Sequence, residues 1–344
     1  MKVYYSDKHR SHSPKTFISR GAVTQCPEIP ERADILLGAV KIAGYKVESP
    51  GSFGVSPLQR VHGGDYLDFL EQAWARWQML PTDAKEMIPN VHPGRNMMKR
   101  PEATIGLAGY YQADTACPIS NGTWEAARSS ADCALSAANY VLSGGDNSAY
   151  ALCRPPGHHA FSDMAGGFCF LNNTAISAQY CLDSGADRVA IIDVDVHHGN
   201  GTQQIFYERS DVLTVSLHGD PNDYYPFYLG YSDEFGSGSG DGFNANFPLP
   251  EGTGDATYIE HLGNAVKKIE RFRPDVMVVA LGLDASEHDG HHPYLRITTE
   301  GFRQIGGLLA KIGLPTVFVQ EGGYISDYLG ENLTAVLTRF SESR

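Results

Sequence analysis

The sequence predicts an α/β fold: a doubly wound parallel sheet flanked by helices on both faces. Three observations predict it. Short β-branched runs are continuously apolar and not alternating, as strands buried on both faces are. Stretches of helical period lie between them, so strand and helix alternate over the second half of the chain. Each run then breaks into a polar or glycine-rich loop, and in such sheets the site lies beyond the carboxyl ends of the strands.

Taken in order, the first helix is expected over Thr123 to Leu142, with Thr123 as a candidate cap ahead of Glu125 and Ala126. A strand follows over Ala149 to Leu152, then a helix over Asn172 to Leu182. Strands are expected over Arg188 to Val194 and Val212 to Leu217, and a helix over Asp255 to Phe272. The last elements are a strand over Val276 to Leu281, a helix over Thr299 to Lys311 capped by Thr298 or Thr299, and a strand over Pro315 to Val319. No internal repeat or Ser/Gly linker divides the chain, and one domain is expected; Gly236 to Gly242 reads as a loop. Leu80 to Pro101 carries four prolines, no strand pattern and the stretch Met97-Met98-Lys99-Arg100. A structureless segment of that length is usually functional or interfacial.

The chain has 344 residues, 42% of them hydrophobic, enough for a large core. Charge runs 27 basic against 40 acidic, a net of −13, whereas a generic nucleic-acid binder should be basic. No apolar run is long enough to span a bilayer, and Met1 to Lys8 lacks the basic start and apolar core of a secretory leader. The six cysteines, at 26, 117, 133, 153, 169 and 181, form no C-x-x-C pair and no dense framework, so free thiols in a reducing cytoplasm are expected. Between Ser210 and Glu260 stand nine acidic residues and no Lys or Arg. They are either solvated loops or a negative mouth that attracts a cationic substrate.

Four strand ends carry residues that a core has no use for: Cys153-Arg154-Pro155-Pro156-Gly157-His158-His159-Ala160, the run Asp193 to Gly201, Gly282-Leu283-Asp284, and Gln320-Glu321-Gly322-Gly323-Tyr324. Asp193, Asp195 and His197 are spaced by two, so on a strand they face one side. Carboxylate and imidazole together are natural ligands for a divalent metal, Asp284 can supply a third, and a fourth position stays open, as at catalytic sites. A structural pairing of Asp195 with His197 is the bland alternative. Asp284 is followed by Ala285 and Ser286, without the second carboxylate a two-metal site needs, so one metal is expected. His158 and His159 follow two prolines and a glycine; two adjacent imidazoles titrate together, and one near neutrality suits a general base. The alternative is a pair of surface loop histidines. Tyr324, after two glycines, offers a phenol O–H that can stabilise an oxyanion, or is an ordinary turn aromatic.

With these motifs the chain resembles the arginase/deacetylase superfamily. The stretches C-R-P-P-G-H-H-A, D-V-D-V-H-H-G-N-G, L-G-L-D and E-G-G-Y are similar to those of the histone deacetylases and, more closely, of the bacterial acetylpolyamine amidohydrolases. The resemblance runs in order over most of residues 120–330. It implies the arginase/deacetylase fold and one zinc ion held by Asp195, His197 and Asp284. It further implies His159 as general base and then acid, His158 paired with Asp193 in an electrostatic role, and Tyr324 polarising the carbonyl. Gly167 is implied to accept the substrate amide N–H, with Phe168 and Tyr225 lining a tunnel. A structural potassium is implied near Asp193, with main-chain oxygens of Asp195, His197 and Leu217 and the hydroxyl of Ser216; a weaker second ion site would involve Phe206, Arg209 and Val212. The N-terminal third, with its 80–101 insertion, resembles the amidohydrolases, where such an insertion helps form a dimer that narrows the mouth. Many histone deacetylases carry an aspartate where this chain has Asn200, which should leave the His159 pKa lower.

The expected activity is zinc-dependent removal of acetyl from an N-acetylpolyamine, a small cationic amine, by a cytoplasmic homodimer without nucleic-acid or membrane partners. Its rivals are acetyl-lysine deacetylation in proteins, a non-catalytic metal- or ligand-binding protein on the same fold, and a binuclear ureohydrolase, which the missing carboxylate after Asp284 disfavours.

Overall fold

The computed structural model describes residues 1–97 and 99–344; Met98, within the Met97–Arg100 stretch, lies outside the described residues. The N-terminal third holds β1 (Lys2–Tyr4), a hairpin of β2 (Thr16–Ser19) and β3 (Ala22–Gln25), α1 (Glu31–Ile42), β4 (Lys46–Glu48), α2 (Ser56–Gln59), α3 (Gly64–Gln78) and α4 (Thr104–Tyr110). Then come α5 (Thr123–Leu142), β5 (Ser148–Ala151), α6 (Asn173–Asp183), β6 (Val189–Asp193), α7 (Asn200–Phe206), β7 (Val212–Gly219) and β8 (Asn244–Leu249). The chain finishes with α8 (Asp255–Phe272), β9 (Val276–Leu281), α9 (Thr299–Lys311), β10 (Thr316–Gln320) and α10 (Leu329–Glu342).

Eight strands form one parallel sheet in the order β4-β1-β5-β10-β9-β6-β7-β8. Successive side chains of a strand point to opposite faces. On β9, Val276 and Val278 enter the core under α5 and α6, while Met277, Val279 and Leu281 enter the core shared with α8, α9 and α10. Both faces are therefore dry, and this is the physical reason for the continuous apolar runs. Each such side chain contributes roughly 1.5–3 kcal/mol on burial, so a polar replacement anywhere along β9 penalises one layer or the other. Among the described residues no helix is long and apolar enough to cross a membrane.

Two expectations about local structure need correction. Thr123 does not cap its helix: Gly122, at φ +79°, is the cap, and the Thr123 hydroxyl instead accepts the Ser120 N–H at 2.9 Å and meets His12 Nδ1 at 2.9 Å. At α9 the cap is Thr298, which accepts the Gly301 N–H. The strand pattern over Asp193, Asp195 and His197 also fails in part. β6 ends at Asp193, and Asp195 and His197 lie in the bends beyond it, set by side-chain hydrogen bonds and not by strand pleating. Among its described residues the 80–101 segment is irregular, apart from an isolated bridge that ties buried Met87 to Ile119.

Candidate active site

The four polar loops converge because β5, β10, β9 and β6 are neighbours in the sheet and all run the same way. Asp195 is fixed by two backbone donors: Gly322 N–H reaches its Oδ2 at 2.8 Å and His197 N–H its Oδ1 at 2.9 Å. Val196 N–H reaches Asp284 Oδ1 at 3.0 Å. His197 Nδ1 lies 3.1 Å from Asp195 Oδ1 and 3.3 Å from Asp284 Oδ2. Candidate ligand atoms of the three residues all fall within 4.8 Å of one another. Glycine is required around them. A Cβ on Gly322 would stand 2.0 Å from Asp284 Oδ2 and 2.6 Å from Asp195 Oδ2, and one on Gly282 would stand 2.2 Å from Asp195 Oδ2.

The donor set fits a metal ion. Asp284 Oδ2 is buried and makes no hydrogen bond among the described residues, with only the His197 ring, at 3.3 Å, facing it; a cation between the three side chains would satisfy it. Two carboxylates and one imidazole suit zinc with an open position. Burial opposes charge on His197, but Asp195 and Asp284 outweigh it and raise the ring to about 9. A second group of candidate ligands, His158, Cys169 and Glu321, is already occupied by other bonds. Glu321 accepts Gly157 N–H at 2.6 Å, His158 N–H at 3.0 Å and the Thr174 hydroxyl at 2.7 Å, and burial pushes the Cys169 thiol well up.

The two histidines differ sharply. His158 Nδ1 donates to Asp193 Oδ2 at 2.9 Å; burial opposes its charge, but Asp193 and Asp195 prevail and raise it to about 10. His159 Nδ1 meets Asn200 Oδ1 at 2.7 Å, and burial followed by the nearby His158 and His197 lowers it well below the usual imidazole range. The two rings are shifted in opposite directions, because a carboxylate stands behind one and a neutral amide behind the other. Neither is a surface loop histidine, since both are buried with ring centroids 4.0 Å apart.

Gly167 (φ +49°) and Phe168 (φ +67°) both adopt left-handed backbone. A Cβ on Gly167 would stand 2.4 Å from His159 Cδ2, so the chain can pass this close to the ring only as glycine. Tyr225 packs edge-on to His159 at 5.0 Å, and Phe168 lies 6.2 Å from Tyr324. Tyr324 is held through its backbone, its N–H donating to Asp289 Oδ2 at 2.9 Å; burial keeps its phenol protonated. The residues expected from the sequence for metal binding, catalysis and substrate contact thus gather at one edge of the sheet, linked by contacts from His197 to His159, from His159 to Tyr225 and from Phe168 to Tyr324.

The expected potassium ligands are partly together. Asp193 and Ser216 are cross-strand partners at the ends of β6 and β7, with Leu217 next and Asp195 and His197 in the adjoining loop. His218 Nε2 lies 2.8 Å from the Gly230 carbonyl, which can only accept, so its Nδ1 accepts from Ser216 Oγ at 2.7 Å and the serine lone pairs stay free. Phe206, Arg209 and Val212 gather at the opposite end of β7, where Arg209 N–H donates to the Phe206 carbonyl and its guanidinium grips Asp211.

Several residues of the site escaped the sequence reading. Asp114 accepts the Tyr225 hydroxyl at 2.5 Å and the Gly167 N–H at 3.1 Å, tying the two loops together. Glu321 fixes the histidine loop through the bonds above; its place in E-G-G-Y was its only signal. Arg32 donates to the carbonyls of Gly323 and Glu321 and lies over the Tyr324 ring at 5.1 Å. The acidic stretch divides. Asp211 pairs with Arg209, Glu234 accepts Gly230 N–H and Gln203, and Asp255 holds Thr298, while Asp233 remains exposed.

The histone deacetylase domain profile matches residues 26–340. The chain is 46% identical to acetylpolyamine amidohydrolase 1 of Pseudomonas aeruginosa, over 98% of each protein. It is similar to a crystal structure of the acetylpolyamine aminohydrolase from Burkholderia pseudomallei, with TM-score 0.96 and 42% identity, covering 100% of this chain and 99% of that one. Against histone deacetylase 8 of Arabidopsis thaliana it is 43% identical, but over 64% of this chain and 60% of that protein. With the eight-stranded parallel sheet and the converging loops, these matches show that the chain belongs to the histone deacetylase domain family.

Proposed function

We propose that the chain is a metal-dependent hydrolase that removes acetyl from N-acetylated polyamines, releasing acetate and the free amine. The observation that carries the hydrolytic reading is the buried cluster of Asp195, His197 and Asp284, whose candidate ligand atoms all fall within 4.8 Å of one another and in which Asp284 Oδ2 makes no hydrogen bond among the described residues. The end-to-end match to amidohydrolases, against a partial match to a histone deacetylase, supports acetylpolyamines as the substrate class.

Asp195, His197 and Asp284 would hold one zinc ion, which when bound supplies Lewis acidity to a carbonyl and a water. The chain's own residues do the rest. Asn200 Oδ1 also takes the Gly201 N–H at 3.1 Å, so it faces His159 as an acceptor, His159 carries its proton on Nδ1, and Nε2 is free to take one from the attacking water. The same nitrogen returns that proton to the departing amine. His158 stays charged and stabilises negative charge nearby. Tyr324 donates its O–H to the developing oxyanion, and the Gly167 carbonyl receives the substrate amide N–H. Phe168 and Tyr225 exclude water from the alkyl chain.

A structural potassium near Asp193 and Ser216 is part of this reading, supported by the free lone pairs of Ser216; a second ion near Phe206, Arg209 and Val212 is its weaker companion. Assembly as a homodimer of single-domain chains through the 80–101 insertion is supported by the exposure of Val91 (55%) and Met97 (64%). Six buried free thiols support a reducing cytoplasm. The decisive experiment compares initial rates on acetylputrescine, acetylcadaverine, acetylspermidine and an acetyl-lysine peptide. Acetylated polyamines are expected to give kcat/KM well above the peptide, and faster turnover of the peptide overturns the polyamine reading. Sedimentation should show a dimer.

A further inference from the structure

A file of aromatic rings leads out of the catalytic pocket. Tyr225 stands 5.0 Å from the His159 ring, Phe227 stands 6.4 Å from Tyr225, and Tyr228 stands 6.4 Å from Phe227, the last two contacts both edge-to-face. Exposure rises along it: Tyr225 is half-buried, Phe227 is 44% exposed and Tyr228 is 89% exposed. Large aromatics are unfavourable in water without a contact to make, and here two are presented side by side at the lip of a site.

The presentation is built. Phe227 adopts φ +66°, a left-handed conformation that bulky residues rarely take, and such strain persists only where its surroundings impose it. Here the Tyr231 hydroxyl donates to the Phe227 carbonyl at 2.8 Å, Phe227 N–H reaches Tyr224 O at 3.1 Å, and Tyr228 N–H reaches Pro226 O at 2.8 Å. The loop around them carries Asp220, Asp223, Asp233 and Glu234 and no Lys or Arg, so no cation of that loop competes for the ring faces.

We infer that Phe227 and Tyr228 form an outer subsite that takes a second ammonium group of the substrate, beyond the one nearest the scissile amide, by cation–π contact. This rests on the polyamine reading and sharpens it. An ammonium binds over a ring face within about 6 Å of the centroid, and in an edge-to-face pair the two rings turn their faces in different directions, so each can take its own cation. A butylene spacer is comparable in length to one 6.4 Å step of the file, so successive ammonium groups of a polyamine can meet successive rings. The class favoured is acetylated triamines over acetylated diamines.

The test reads the ratio of kcat/KM for acetylspermidine to that for uncharged N-butylacetamide, in the full-length enzyme and in Tyr228→Leu and Tyr228→Phe. Tyr228 is exposed, so neither change disturbs the core. Tyr228→Leu keeps an apolar side chain without a ring and is expected to lower the ratio about three- to tenfold, through KM. Tyr228→Phe keeps the ring and is expected to hold the ratio within about twofold. An unchanged ratio in Tyr228→Leu, or an equal fall in Tyr228→Phe, overturns the subsite while wild-type turnover leaves the polyamine reading standing. A wild-type enzyme inert on every acetylated amine overturns both.

Discussion

Asn200 Oδ1 accepts hydrogen bonds from the Gly201 backbone at 3.1 Å and from His159 Nδ1 at 2.7 Å, and the first bond fixes the direction of the second. A backbone N–H can only donate, so the amide oxygen and not its nitrogen faces the imidazole. The tautomer of His159 follows from that one turn of chain.

Replacing this neutral partner by a charged one should move the pH profile. In Asn200→Asp an ionised carboxylate stabilises the imidazolium, so the His159 pKa rises. His159 must be neutral to take a proton, so the acid limb of kcat/KM shifts to higher pH. A limb that stays or moves to lower pH would show that His159 is not the base. A rate titration from pH 5 to 9 reads this directly.

His159→Ala should cost about 10²–10⁴ in kcat, the usual worth of a positioned acid–base group. His158→Ala should cost less, because it removes a fixed charge and not the proton carrier. Steady-state rates on acetylputrescine decide the order.

Tyr324→Phe should lower kcat about 10²–10³-fold, as loss of one oxyanion donor does elsewhere. Bound zinc should remain at the wild-type level, because Tyr324 is held through its backbone N–H and the ring packing with Phe168, which phenylalanine keeps. Loss of metal with activity would assign Tyr324 to the metal's surroundings.

Asp284→Ala should abolish both metal and turnover, and Gly322→Ala should come close to it, since the added methyl would stand 2.0 Å from Asp284 Oδ2. Chelation of the wild type should remove activity, and one equivalent of zinc per chain should restore it. Elemental analysis alongside rates checks all three.

Acid should unfold the protein through buried neutral histidines. His62 is buried, its Nε2 accepts the Asn172 N–H at 3.0 Å, and burial lowers it to about 4. The unfolded chain takes its proton near pH 6.5, so this contribution to stability is intact above 6.5 and is lost as pH falls toward 4. By pH 5 the loss at this one site is on the order of 2 kcal/mol. Urea midpoints should fall between pH 7 and 5, and less steeply in His62→Gln.

What could be read from the sequence was whatever leaves a local pattern. β6, β7, β9 and β10 showed as apolar runs because both sheet faces are dry. β1 and β4, three residues each, are too short to show a period, and β8 reads Asn-Ala-Asn-Phe-Pro-Leu, with a proline that only an edge strand tolerates. Chemistry-bearing side chains cluster at strand ends, so Asp195, His197, Asp284, His159 and Tyr324 were legible as candidates. Asp114 and Arg32 were not, because each acts on a loop far along the chain and neither belongs to a motif. The bond from Tyr225 to Asp114 exists only once the sheet has folded.

Gly282, Gly322 and Gly167 leave no room for even one added carbon beside the carboxylates and the base. At these three positions the pocket is therefore closed to gradual variation: an added side chain displaces a carboxylate or the base before it can reshape the site. Phe227 and Tyr228, exposed at the lip of the site, are under no such constraint. A lineage of such enzymes can diverge in what it accepts by editing that lip, while the glycines beneath the carboxylates and the base are inherited unchanged.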